Sequence, residues 1–314
     1  MPQLPRSRAT ASPLTSAGRV TRRLIVQAPL LAVAGAQAAA PLKVVYPAPE
    51  SPQDHRSLDL VALLRAALQR TEASHGPFEL APAQTAASED RQLLSMEQGR
   101  LPNVVWASST VERERRLRAI RIPLRKGLLG FRIALIHRDR QAQFRRVRTL
   151  ADLRAYALGQ GPNWPEAQMY RRLGFQVQTG NYEALFRMLV SGRFDLFPRG
   201  VNEVFGEFAA RQADLPELAI EDSLLIHYPL PYYFFVSRDN AGLARRIEHG
   251  LRAMLQDGSF DAHFWHHHGD ALRQARLGER RVLRLDNPLL PPDTPLRDGR
   301  LWFDPKAAQP ARKR

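Results

Sequence analysis

From Pro41 onward the chain alternates short apolar runs with amphipathic stretches, and this alternation restricts it to an α/β architecture of sheets with crossover helices. Leu42 to Tyr46 reads as a strand, and Leu60, Val61, Leu63, Leu64, Ala67 and Leu68 recur at helical spacing. Phe78 to Leu80 and Asn103 to Ala107 are the next strands, separated by a helix over Asp90 to Gln98 that stops at Gly99. Phe131, Ile133 and Leu135 open a second series. Tyr156 to Leu158, Phe194 to Phe197, Leu224 to Ile226 and Tyr232 to Val236 continue it as strands. A helix over Glu166 to Leu173 ends at Gly174, and Asn181 is placed to cap another that closes at Gly192. Asn240 precedes a long helix with Leu243, Ile247, Leu251, Met254 and Leu255 on one face, broken at Asp257-Gly258. The proline-rich stretch from Asn287 to Pro295 reads as surface-wrapping, and Lys306 to Arg314 as frayed. There is no internal repeat.

The first 38 residues follow a different logic. Arg6, Arg8, Arg19, Arg22 and Arg23 form a basic region without an acid, Leu24 to Ala36 is largely apolar, and Ala36-Gln37-Ala38 supplies small residues for cleavage. The expectation is a secretory signal peptide cleaved near Ala38 and a periplasmic product. The apolar run is well short of the roughly 20 residues that span a bilayer. Thr21-Arg22-Arg23-Leu24-Ile25 faintly matches a twin-arginine signal, and the general route is the alternative preferred. Five of the 46 Lys and Arg lie in this leader, so the formal charge of +15 overstates the excess on the rest by five. That excess is scattered Arg without a dense basic block among aromatics, which argues against nucleic acid as a partner. The chain has no cysteine, so packing rather than disulfides must stabilise it.

At Thr110-Val111-Glu112-Arg113 the chain begins to resemble the type II periplasmic solute-binding proteins of polar amino-acid uptake systems. Further stretches agree in order: Gly127 to Phe131, Thr149 to Leu153 with Gly159-Gln160-Gly161, Ala184 to Asp195, and Tyr232 to Asn240 with Asp257-Gly258. The resemblance runs over most of Leu42 to His268. It implies two α/β lobes joined by two crossing strands, residues 39–127 and 231–314 in lobe one and 128–230 in lobe two. It also implies a ligand between the lobes, closure about a hinge, and a monomer serving a membrane transporter or a sensor. No cofactor or metal is implied.

Arg113 falls where the family grips a ligand carboxylate, a task suited to a planar two-pronged donor; a solvated surface Arg is the plainer reading. Ser108 and Trp106 match a hydroxyl and a backbone carbonyl at the same subsite, against a loop Ser and a core Trp. Tyr46 ends the first strand, where an aromatic offers area at low entropic cost, or simply packs. Asn163 and Trp164 occupy the turn opening lobe two, without the hydroxyl the family carries there. Arg199 and Gly200 stand where amino-acid binders place an acid five residues beyond the Asp matched by Asp195. An Arg facing the cleft favours an anionic ligand over an ammonium, with Glu203 as a substitute acid from the next turn. An exported lyase acting on a cyclic prephenate-like acid is the alternative function, with Glu166 and Glu203 as its candidate acids. His266-His267-His268, with His263 and Asp261, is read as the end of a helix on the outer surface rather than a metal site.

Overall fold

The computed structural model describes residues 40–49 and 56–306. The expected leader and its cleavage site, and all but the first residue of the frayed end, lie outside the described residues. The first lobe holds strands β1 (Leu42–Tyr46), β2 (Phe78–Pro82), β3 (Val105–Ser108) and β4 (Arg118–Ile120). β1 and β2 pair in parallel. The second lobe holds β5 (Phe131–His137), β6 (Leu158–Gln160), β7 (Val177–Thr179), β8 (Leu196–Gly200), β9 (Leu218–Ile220) and β10 (Leu224–His227). The chain then returns through β11 (Tyr232–Val236), which lies antiparallel between β3 and β4.

One core unites the strand groups of lobe one. Leu60, Leu63, Leu64 and Leu68 of the helix Leu58–Gln69 pack with Val44, Trp106, Phe234 and the Leu243, Ile247 and Leu251 face of the helix Ala241–Gln256. In lobe two the central strand β5 runs antiparallel to β8, β9 and β10. Apolar residues of β5 alternate between two cores: Phe131, Ile133 and Leu135 on one face, Ala134 and Ile136 on the other. A strand buried on both faces carries apolar residues at successive positions, and this one does so apart from the buried Arg132.

Two strands lie further along the chain than the apolar runs suggest. β6 forms at Leu158–Gln160 rather than 156–158, and β8 at Leu196–Gly200 rather than 194–197. Phe194 is spent on packing against Gly159, where an added Cβ would lie 2.3 Å from its ring. Asp195 is spent as an acceptor for the Ala157 amide at 2.6 Å. Arg199 therefore belongs to a strand, opposite Ile133, and not to the turn after it.

The assignment of residues 231–314 to lobe one needs correction. A twelfth strand, β12 (Arg281–Arg284), pairs in parallel with β10 at the edge of the lobe-two sheet. Its main-chain pairing is non-local, so nothing in its own residues announces it. The helix Ser259–Ala275 also runs beyond the His run. His268 is buried, not on an outer surface, and its Nε2 lies 3.3 Å from Asp59 Oδ2.

Candidate functional site

β3 and β11 lie side by side with Tyr232 opposite Ser108. The chain leaves β3 through Ser109 and enters the helix Val111–Arg116 at Thr110, whose hydroxyl accepts from the Arg113 amide at 3.1 Å. That cap turns the Arg113 side chain back over the end of β3. Its Nη1 donates to the Ser108 carbonyl at 2.9 Å and to Ser108 Oγ at 3.0 Å. Its Nη2 meets Glu89 Oε1 at 2.7 Å, with Asp90 3.6 Å away. Glu89 Oε2 accepts from the Tyr232 hydroxyl at 3.4 Å. The guanidinium is thus fixed on one side and holds a carboxylate on the other.

Glu89 keeps 38% of its side-chain surface accessible, yet the neighbouring protein still withdraws water from its carboxyl. That burial pushes its carboxyl above the ordinary range despite Arg113, and the Glu166 carboxylate of lobe two adds to the rise. Tyr46 and Trp106 stack at 6.1 Å between ring centroids, and Trp106 also meets Phe234 edge-on. Trp106 is buried and belongs to the lobe-one core, whereas Tyr46 is half-buried at its margin.

The lobe-two wall centres on Arg132, a residue that sequence reasoning passed over. A charge inside the apolar strand Phe131 to Leu135 was the available signal. The side chain is 5% exposed; Nη2 donates to Glu166 and Nη1 stands 3.6 Å from Glu203 Oε2. Its guanidinium carbon lies 5.7 Å from the Tyr228 ring centre, and its Nε is buried without a partner. Glu203 also accepts from the Gly200 amide at 2.9 Å. A Cβ at Gly200 would sit 3.0 Å from Glu203 Oε2, so Glu203 fills space that a side chain at position 200 would need. Burial pushes the Glu203 carboxyl up, but Arg199 and Arg132 outweigh it and hold it down to about 2.

Arg199 is not a free cleft cation. It donates to both Glu207 oxygens at 2.7 Å, lies 3.2 Å from Glu203, and stacks at 4.9 Å on Trp164 and on Phe197. Tyr182 donates to the same Glu207 at 2.7 Å. Desolvating a lone guanidinium is costly, and Glu207, two turns into the helix Val201–Ala209, offsets that cost. Trp164 lies parallel to Phe197 and roofs this pair, while Asn163 is exposed on the preceding turn. The structure therefore brings Arg113 and Ser108 together, pairs Tyr46 with Trp106, and puts Trp164 and Arg199 in a cluster joined to Arg132 through Glu203.

No family model and no curated protein matches this chain. Solved structures do. One is an ancestral arginine-binding protein bound to arginine, 18% identical over 73% of this chain and 99% of its own, with a TM-score of 0.52. The fold is that of a two-lobed periplasmic binding protein. A putative binding component of an ABC transporter from Wolinella succinogenes, complexed with lysine, shares it at 16% identity, covering 72% of this chain and 94% of that one at a TM-score of 0.51. So does a histidine kinase sensor domain with similarity to periplasmic binding proteins, at 18% identity, 73% and 96% coverage and a TM-score of 0.50. The Arg113 group belongs to lobe one and the Arg132 group to lobe two. Glu89 and Glu166, one from each lobe, are close enough to repel.

Proposed function

We propose that this chain is an exported solute-binding protein of the periplasm that captures a small carboxylate-bearing ligand between its lobes, for an ABC-type uptake system or as a sensor input. The observation that carries this reading is the Arg113 fork. Nη1 is immobilised by Ser108, and Nη2 points at a carboxylate, that of Glu89. A ligand carboxylate takes that place by displacing Glu89, a group whose raised pKa makes it the easier of the two to neutralise. Tyr46 offers an aromatic flank nearby. Arg199 supplies no second positive charge because Glu207 consumes it, so ligand charge beyond the carboxylate is set by the balance of Arg132 against Glu166 and Glu203.

The lyase alternative asks for a proton donor. Glu203 is held ionised down to about 2 and does not serve as one near neutral pH. Glu89, raised by its burial, is the acid that reading would use, so a turnover assay with a cyclic prephenate-like acid decides between capture and lyase chemistry. A thermal-shift screen of amino acids, dicarboxylates and small aromatic acids tests capture: a ligand at about 100 times its Kd adds roughly 2.7 kcal/mol. Arg113→Ala should abolish the shift, and Arg113→Lys should restore only part because Lys lacks the fork. A carboxylate-free compound that binds tightly and ignores Arg113→Ala would sink the reading. Mature protein from the envelope should begin at or within two residues of Ala39.

A further inference from the structure

A two-lobed clamp needs its lobes to turn about the segments that join them. Here the C-terminal segment crosses between the lobes as well, and it does so with buried side chains. The helix Ser259–Ala275 places Phe260 in the lobe-one core beside Leu251 and Met254. One turn later Phe264, then Leu272 and Ala275, lie in the lobe-two core with Phe131, Val201 and Val204. A single rigid helix is therefore anchored in both cores. β12 follows and is hydrogen-bonded along the lobe-two sheet edge. Arg280 reinforces it by donating to the Glu221 carbonyl at 2.6 Å and the Leu224 carbonyl at 3.2 Å.

The chain then touches both crossings. Asn287 Nδ2 donates to the Pro229 carbonyl at 2.9 Å on the second crossing, and the Val111 amide of lobe one donates to the Leu289 carbonyl at 3.3 Å. Leu301 rejoins the lobe-one core. Trp302 covers Gly127 of the first crossing so closely that a Cβ there would lie 2.4 Å from the indole, and Gly127 has the left-handed φ of 70°. The Phe303 amide donates to the Lys126 carbonyl at 2.8 Å. The Phe303 ring packs at 5.4 Å on Phe131 and 5.6 Å on Phe264, in lobe two.

We propose that residues 259–303 form a brace that holds the two lobes at one angle, in place of a free hinge. Rotation about residues 127 and 229 alone would tear Phe264, Leu272 and Phe303 from one core or Phe260 and Leu301 from the other. Packed interiors do not deform continuously to permit that. The brace is independent of which ligand the cleft takes.

The chain has no cysteine, so two introduced ones report the lobe separation without background. Arg65→Cys on the helix Leu58–Gln69 and Arg187→Cys on the helix Tyr182–Val190 are both exposed, one on each lobe. Spin labels there should give a single narrow distance by pulsed dipolar spectroscopy. The same labels in a Trp302→Ala, Phe303→Ala background should add longer distances. Phe303→Leu, which keeps apolar bulk, serves if the double variant does not fold. Two separated populations in the parent protein, or an unchanged narrow peak in a folded variant, would overturn the proposal.

Discussion

Asp59→Asn tests the charge pair that ties the helix Leu58–Gln69 to the first crossing. Arg125 donates through Nε and Nη2 to the two Asp59 oxygens, both at 2.7 Å, and the side chains are 7% and 9% exposed. Burial pushes the Asp59 carboxyl up, but Arg125 and then His268 outweigh it and hold it far below the usual carboxylate range. Asn keeps the shape and one acceptor but not the charge, so the guanidinium is left buried with the Arg56 carbonyl at 2.7 Å and a neutral amide. Removing one partner of a buried pair costs about 3–5 kcal/mol. The retained acceptors place this change at the low end, about 3 kcal/mol. For a chain of this size that corresponds to a Tm lower by about 6–12 °C.

Urea unfolding followed by tryptophan fluorescence measures the loss, and Arg125→Met completes a double-mutant cycle. With both charges gone, the double variant should lose less than the sum of the singles by about 2 kcal/mol. A loss below about 1 kcal/mol for Asp59→Asn, or additive singles, would refute the claim that the pair is desolvated and coupled.

Acid should weaken the fold before the carboxylates titrate. Burial lowers the imidazoles of His227 and His263 to about 4, and burial lowers His268 against the pull of Asp59. The unfolded chain takes up these protons first, near pH 6.5, so stability is complete above about 6.5 and falls progressively toward pH 4; a Tm that stays level from pH 7 to 5 contradicts this. Gly250→Ala should destabilise by about 2 kcal/mol although Ala favours helix. Its Cβ would lie 1.9 Å from the Ala67 carbonyl, where the two long lobe-one helices touch, and a neutral or stabilised variant in urea would show that they separate easily. Arg199→Ala should cost about 3 kcal/mol by stranding Glu207, and Arg199→Lys should recover little, since both Glu207 oxygens are gripped by one fork. A solvent-facing Arg199 would give less than about 1 kcal/mol in the same assay.

Local chemistry fixed much of what the amino-acid sequence displays. Helix ends at Gly174 and Gly192 adopt φ of 83° and 72°, a conformation that costs other residues too much. Asn181 and Asn240 cap their helices through amides three residues on, at 2.8 and 3.3 Å. These contacts lie within one turn of chain, so residue order alone specifies them. The Ser108 and Arg113 pairing is local in the same sense, bridged by the Thr110 cap. The α/β class follows from the spacing of apolar residues, which sets the face each element must bury.

What sequence alone left open depends on partners far along the chain. Arg199 was legible as a charge, but its partner Glu207 comes from the following helix, and only the fold gives the guanidinium that internal acid. Arg113 meets Glu89, Arg132 meets Glu166 and Arg125 meets Asp59 only once the strands and helices have assembled. A buried charge must find an opposite charge or pay a large desolvation penalty, and which acid answers which Arg is settled by three-dimensional proximity. β12 is the clearest case. Arg281–Arg284 has one buried residue, Leu283, too few for a periodic signal, and only the open edge of β10 makes it a strand.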